Sequence, residues 1–269
     1  MSKADRPVRL DRRLVREHFA STDEEARLLI SSGLVLVEGR AVDSPDCQVK
    51  PTASVKVIGQ SSQWVSRGAY KLLTALDAFN IDLTGAVCLD VGASTGGFTH
   101  VMLTRGASRV YALDVGYGQL AWSLRQDQRV TVMDRRNARE MVPEWFEAAP
   151  SFAATDASFI SLTALLEPMC GVLPDGGRAV VLVKPQFELP PALVDSGGVV
   201  TEPELHLAAL EKVRRFAAEH TDFGLVGAVP SRILGTKGNR EFLFYLIRGA
   251  KNAEIDMPAL VTANGTSAQ

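Results

Sequence analysis

The chain has 269 residues, 46% of them hydrophobic, enough for one large α/β domain and a smaller one, and its formal charge of −2 excludes nucleic-acid binding driven by global charge. Cys47, Cys88 and Cys170 are odd in number and lack CxxC or Cys/His spacing, which excludes a disulfide framework and a zinc site; no metal is expected. The amino terminus has no apolar stretch followed by a cleavage site, and no run is long enough to span a bilayer, so a cytoplasmic protein with no membrane partner is expected.

Local charge departs from the average. Within the first twenty residues Lys3, Arg6, Arg9, Arg12, Arg13 and Arg16 outnumber Asp5, Asp11 and Glu17 by six to three. From Arg9 to about Phe19 the pattern is helical, with Leu10 and Leu14 one turn apart and Arg9, Arg13 and Arg16 recurring on another face. A second helix is expected from Ser21 or Thr22, each followed three residues on by a glutamate in capping-box spacing, to Gly33. Apolar runs at Leu34 to Val37 and Val55 to Ile58, with a Glu38-Gly39 turn, predict a small sheet. This order, with Arg9-Leu-Asp, Ala26-Arg-Leu-Leu-Ile and Gly33-Leu-Val-Leu-Val-Glu-Gly, resembles the S-four RNA-binding domain. The resemblance implies that the basic face, with Arg6, Arg9, Arg13 and Arg16, docks on the phosphate backbone of folded RNA.

A polar stretch from Gln60 to Gln63 reads as part of a linker over 61–67, which divides a first domain of 1–60 from a second of 68–250; 251–269 is expected to be a flexible tail. The second domain opens with a helix over Gly68 to Phe79 and then alternates in the manner of a doubly wound sheet. Strands are predicted at Val87 to Val91, Val110 to Leu113, Val130 to Met133, Phe152 to Thr155 and Ala179 to Val183, and helices include Ser161 to Val172 and Pro203 to His220. Two closely spaced runs, Gly224 to Val229 and Phe242 to Ile247, suggest an antiparallel pair closing the sheet, a feature of class I methyltransferases rather than dehydrogenases.

Between the first strand and the next helix stands Leu89-Asp-Val-Gly-Ala-Ser-Thr-Gly-Gly-Phe98. Gly92, Gly96 and Gly97 allow a tight turn and close approach to a ligand, and Ser94 replaces the middle glycine of a pyrophosphate-binding loop. Asp114 ends the second strand, where a carboxylate can accept from a ribose diol. S-adenosylmethionine therefore fits better than a dinucleotide, with Asp90, Gly92, Ser94, Thr95, Gly96, Gly97, Phe98 and Asp114 as cofactor-site residues. Asp134 and Asn137 follow the third strand, near where such folds hold adenine; a polar strand-to-helix turn is the competing reading.

Ser66-Arg-Gly-Ala-Tyr-Lys-Leu72, Asp90-Val-Gly-Ala-Ser-Thr-Gly-Gly-Phe98, Asp114-Val-Gly-Tyr-Gly-Gln-Leu120, Ser158-Phe-Ile-Ser-Leu162, Val183-Lys-Pro-Gln-Phe-Glu188 and Gly197-Gly-Val-Val200 together resemble the TlyA, or hemolysin A-like, ribosomal RNA methyltransferase family, across nearly the whole chain. Its catalytic part is similar to the FtsJ/RrmJ group of 2'-O-methyltransferases. The resemblance implies a catalytic tetrad of Lys71, Asp156, Lys184 and Glu241, with Asp156 also at the cofactor and Arg67 joining the RNA contacts. It further implies an α/β fold: a class I, Rossmann-like S-adenosylmethionine-dependent methyltransferase domain behind a small α+β RNA-binding domain. S-adenosylhomocysteine is then the product, cytidine in ribosomal RNA of subunits or ribosomes the substrate, and a monomer the expected state. Two segments depart from the family: Leu189 to Ser196, where relatives often carry a basic, glycine-rich stretch, and Arg240, where they commonly carry an apolar residue.

The chemistry agrees with this assignment. A ribose hydroxyl is a poor nucleophile, so its proton must leave or its developing charge be stabilised, and a lysine can do either. Lys184 and Asp156 each follow a predicted strand and should emerge at the carboxyl edge, where open α/β sheets place ligands. Asp156 is expected to orient Lys184. Exocyclic-amine methylation commonly uses a Pro-Pro-Tyr-type loop where this chain has Asp156-Ala-Ser-Phe-Ile, and a dehydrogenase explains neither the lysine pair nor the RNA module. The tetrad argues against a non-catalytic assembly factor, and no convincing membrane-active helix supports a hemolysin.

Overall fold

The computed structural model describes residues 7–17, 19–20, 22–50, 53–58 and 64–262. Arg6, Ser21, the polar stretch 60–63 and the last residues of the expected tail, 263–269, lie outside them. The chain divides into two compact units, Met1–Trp64 and Val65–Gln269.

In the first unit β1 (Val8–Arg9) runs into α1 (Leu10–Arg16), followed by α2 (Asp23–Ser31), β2 (Val35–Val37), β3 (Arg40–Val42), β4 (Gln48–Val49) and β5 (Val55–Val57). Thr22 starts α2 by accepting the Glu25 N–H at 3.1 Å. β2 pairs antiparallel with both β3 and β5, while β1 pairs with β4 in a two-residue ladder that no periodicity announces. Leu10, Leu14, Ala26, Ile30 and Val35 form the core.

The expected basic face is corrected here. Arg13 is buried, 5% exposed, and its guanidinium donates to the carbonyls of Lys50 and Ala53 at 2.7 Å each and to Glu17 at 2.8 Å. It ties α1 to backbone acceptors about forty residues along the chain, so it holds the fold rather than facing RNA. Arg9 is half-buried and pairs with Asp11 and Asp46. The Arg9 hydrogen bond, aided by the Arg12 N–H and Arg27, outweighs burial and holds the Asp11 carboxyl down at about 2. The exposed guanidinium groups of this unit include Arg12 and Arg16, one turn apart on α1, and Arg27 on α2.

The second unit begins with α3 (Ala69–Ala78) and alternates through β6 (Val87–Val91), α4 (Gly97–Thr104), β7 (Arg109–Asp114), α5 (Trp122–Arg125), β8 (Val130–Asp134), β9 (Phe152–Thr155), α6 (Thr163–Val172), β10 (Arg178–Val183), α7 (Pro185–Glu188) and α8 (Pro203–His220) to β11 (Phe223–Pro230), β12 (Phe242–Arg248) and α9 (Met257–Thr262). The seven-stranded sheet has the order β11-β12-β10-β9-β6-β7-β8. β8, β7, β6, β9 and β10 are parallel; β12 alone is reversed, antiparallel to β10 on one side and β11 on the other. The last two strands are the expected antiparallel pair closing the sheet, with β12 laid against β10 and β11 at the edge. Leu89, Tyr111, Ala153, Val181 and Phe244 bring the inner strands into one core with Leu166 and Met169 of α6 and Leu210 and Val213 of α8.

Two expected boundaries change. Val65 donates to His100 Nδ1 at 3.3 Å and the Ser66 carbonyl accepts from Ala69, so 65–67 belong to the second unit rather than to a linker. Residues 251–262 are docked rather than flexible: the Ala253 N–H donates to Leu225 O, Asn252 Oδ1 accepts the Leu225 N–H, and Met257 and Val261 enter the core. Arg240, a departure from the expected family pattern, donates to the carbonyls of Val261 and Leu260 and caps α9.

Candidate active site

A cavity of about 570 Å³ opens in the second unit at the carboxyl ends of β6, β9 and β10. β9 ends at Thr155, so Asp156 emerges there; β10 ends at Val183 and delivers Lys184; reversed β12 begins at Phe242, so Glu241 reaches the same edge from the opposite direction. Lys71 comes from the first turn of α3. All four line the cavity, together with Asp90, Gly92, Ser94, Thr95, Gly97, Phe98 and Arg67 of the expected set.

The four charged groups form one chain of contacts. Lys71 Nζ lies 3.2 Å from Asp156 Oδ2 and 2.8 Å from Glu241 Oε2, and Lys184 Nζ lies 2.6 Å from Asp156 Oδ1. Asp156 therefore bridges both lysines, one to each oxygen. Lys184 also donates to Ser158 Oγ at 2.8 Å and to the Asp156 carbonyl at 3.3 Å, so acceptors surround all three of its hydrogens. Burial disfavours the Lys71 ammonium, yet the charges of Asp156 and Glu241 outweigh it and hold the group above its ordinary value. Lys71 is protonated at neutral pH.

Glycine acts here as an absence of bulk. A Cβ on Gly97 would fall 2.3 Å from Ser66 Oγ and 3.0 Å from Ala69 N, so the start of α4 can press against the start of α3 only without one. A Cβ on Gly235 would fall 2.0 Å from Glu241 Oε1, the space that carboxylate occupies.

Asp90 is fully buried against the cavity. Its Oδ2 accepts from the Thr99 N–H at 2.8 Å and the Thr99 hydroxyl at 2.7 Å, and its Oδ1 has no hydrogen-bond partner among the described residues. Burial pushes this carboxyl up to about 7. An orphaned, costly carboxylate oxygen in a cavity fits a ligand that brings a cation or an N–H donor. Because the folded value lies above the ordinary 3.8, Asp90 costs nothing where both states are protonated, and stability is lost as pH rises from there to about 7. Asp90→Asn keeps an acceptor for Thr99 and removes the charge. It should melt with the wild type near pH 4 and above it near pH 8, by a few kcal/mol at about 1.4 for each pKa unit, while binding cofactor more weakly. Equal melting temperatures at both pH values would contradict the assignment.

Other expected cofactor residues are placed differently. Asp114 accepts the Ser94 N–H at 2.8 Å and the Gly116 N–H at 2.7 Å, which fixes the glycine loop to the end of β7. Gly96, in the left-handed region at φ 97, supplies the turn into α4. Asp134 pairs with Arg125 and accepts the Gly118 N–H, and Asn137 caps the turn at Ala138–Glu140. Asp114, Asp134 and Asn137 are not among the residues lining the cavity. Ser158, Phe159, Gln186, Lys237 and Asn239 line it without having been expected there. Ser158 and Gln186 each stand two residues beyond a tetrad member, a spacing that a strand leaving the sheet edge makes legible in retrospect. Among the described residues no His, Cys, Asp and Glu cluster could hold a metal ion, and no helix is long and apolar enough to cross a membrane.

The sheet order and the glycine loop beside a Lys-Asp-Lys-Glu cluster define the second unit as a class I, S-adenosylmethionine-dependent methyltransferase. The model of the FtsJ-like methyltransferase matches residues 64–248, and that of the S4 domain residues 8–55. The chain belongs to the TlyA family of FtsJ-like methyltransferases. It is 44% identical over 242 residues to the 16S/23S rRNA (cytidine-2'-O)-methyltransferase TlyA of Mycobacterium tuberculosis, covering 90% of each. It is 37% identical over 244 residues to Hemolysin A of Brachyspira hyodysenteriae, covering 89% of this chain and 100% of the relative. A solved hemolysin-named protein of Streptococcus thermophilus is 39% identical, with a TM-score of 0.74 over 96% of this chain and 95% of the other.

Proposed function

We propose that this protein transfers a methyl group from S-adenosylmethionine to the 2'-hydroxyl of a cytidine in ribosomal RNA, leaving S-adenosylhomocysteine. The convergence of Lys71, Asp156, Lys184 and Glu241 on one cavity beside the glycine loop carries this reading. When bound, the cofactor supplies an electrophilic methyl group on a sulfonium. Asp90 offers its unpartnered oxygen to the cofactor, Gly92, Ser94, Thr95 and Phe98 line the space beside it, and Asp114, which accepts the Ser94 and Gly116 N–H groups at the end of β7, is the carboxylate assigned to the ribose diol. Asp134 and Asn137, held within the protein, are not assigned to the adenine.

Lys71 is held as a cation by two carboxylates, so it cannot accept the substrate's proton and instead fixes Asp156 and Glu241. Lys184 is left to meet the 2'-oxygen. Its rotatable partner, the Ser158 hydroxyl, is the one the incoming oxygen replaces, while both Asp156 acceptors keep the amine aimed. Alignment does the rest, since a well-placed nucleophile can gain on the order of 7 kcal/mol from restricted freedom alone. Phe159, 90% exposed, presents an open aromatic face at the cavity on which an unstacked base can lie.

The substrate's phosphates are assigned to Arg9, Arg12, Arg16 and Arg27 of the S4 unit and to Arg67, with Arg13 as their support. Arg12→Ala with Arg16→Ala should flatten the salt dependence of RNA binding by about 0.7 to 0.9 for each phosphate that is no longer neutralised. An unchanged slope would remove both from the interface. Acting on ribosomal RNA places the work in the cytoplasm. The reading is tested by incubating purified protein and S-adenosylmethionine with ribosomal subunits and intact ribosomes, digesting the RNA and locating the methyl group by mass spectrometry. A methyl group on a cytidine ribose is expected; one on a base amine, or none, would overturn the reading.

A further inference from the structure

Two of the motifs meet twice. At one end, beside the cavity, Lys184 reaches Asp156 and Ser158. At the other end Glu188, four residues beyond Lys184 and 3% exposed, accepts from the Ser161 hydroxyl at 2.6 Å through Oε2 and from the Leu162 N–H at 2.7 Å through Oε1. Lys212 of α8 closes this second contact, 3.2 Å from Glu188 Oε2 and donating to the Glu188 carbonyl at 2.7 Å and to Ser161 Oγ at 3.3 Å. Between the two ends the rings of Phe159 and Phe187 lie 5.2 Å apart. Glu188 is not one of the residues lining the cavity.

We propose that Glu188 is a positioning residue, which sets the separation of Asp156 and Lys184 by fastening the far ends of the two loops that carry them. The link is short and stiff on the lysine side: α7 is a single turn, with Pro185 at its first position, so a fixed Glu188 fixes the backbone of Lys184. On the aspartate side, 156–162 is a loop that passes through the left-handed region at Phe159, φ 63, and ends at the N-cap of α6. Leu162 has no side-chain cap of its own, and the Glu188 carboxylate takes the orphaned N–H from another element. The helix N-terminus and Lys212 offset the cost of burying that charge. An apolar contact could hold the loops together as firmly. A carboxylate with one bond to each of two neighbouring residues also fixes their register.

This inference rests on the methyl-transfer reading, and wild-type protein assayed in parallel separates the two. The experiment compares wild type, Glu188→Ala and Glu188→Gln in single-turnover methyl transfer to ribosomal RNA, with KM for RNA and calorimetric affinity for S-adenosylhomocysteine. Glutamine can still accept from Leu162 and donate to Ser161. Glu188→Ala should lower kcat by about 10- to 100-fold, the scale expected for a displacement near 1 Å, with KM and product affinity within about twofold. Glu188→Gln should recover most of that loss. If Glu188→Ala does not fold, Ser161→Ala removes one bond of the same contact and should lower kcat severalfold at constant KM. An inactive wild type would overturn the functional reading itself. Active wild type with unchanged kcat in Glu188→Ala, or in Ser161→Ala where that stands in, would overturn the positioning role alone, as would equal losses in the Ala and Gln variants.

Discussion

Lys184→Ala lowers the rate of methyl transfer by about 10³-fold or more while S-adenosylhomocysteine and RNA still bind, the loss expected when a positioned acid–base or charge-stabilising group is removed. The amine sits 5% exposed, with Asp156 Oδ1 at 2.6 Å and Ser158 Oγ at 2.8 Å, and truncation removes the one amine that Asp156 and Ser158 together aim at the cavity. Lys184→Arg preserves the charge and should rescue little, because a planar guanidinium cannot reproduce three convergent contacts around a point. Single-turnover kinetics with product-binding calorimetry give the result. Turnover within tenfold of wild type in the alanine variant would remove Lys184 from the chemistry.

The second large effect is on stability. Lys71 balances Asp156 and Glu241, and the Glu241 side chain is 2% exposed, so Lys71→Met leaves a buried carboxylate without its cation. Removing one partner of a buried pair typically costs about 3 to 5 kcal/mol. The unfolding midpoint of the second unit in urea should fall accordingly. Lys71→Met combined with Glu241→Gln should restore most of that stability and none of the activity. A double variant as unstable as the single would show that packing around Lys71, not charge balance, sets the cost.

Legibility in the sequence followed the range of the interactions involved. α8 was expected at its observed ends, Pro203–His220, because a proline at the first position and a long apolar stripe are local signals. The parallel strands were legible as apolar runs because both faces of the sheet are covered. All four tetrad residues are assigned from the family resemblance, and for Asp156 and Lys184 the predicted strand ends independently put them at the sheet edge. What stayed hidden depends on partners far along the chain. Arg13 looks like a member of a solvent-facing stripe until the carbonyls of Lys50 and Ala53 are folded onto it. The two-residue β1–β4 ladder has no period to read, and the docking of α9 depends on Arg240 and on the distant Leu225. Asp134 and Asn137 have the composition of a binding turn and the structure of a self-satisfied one.

The reversed course of β12 ties completion of the sheet to completion of the tetrad. Glu241 arrives one residue ahead of the strand that seals the gap between β10 and β11, so a nascent chain still short of that point has two raw sheet edges and a lysine with only half its counter-charge. Closing the sheet and arming the enzyme are one event. A fragment ending before Glu241 should therefore lack both the closed sheet and the complete tetrad.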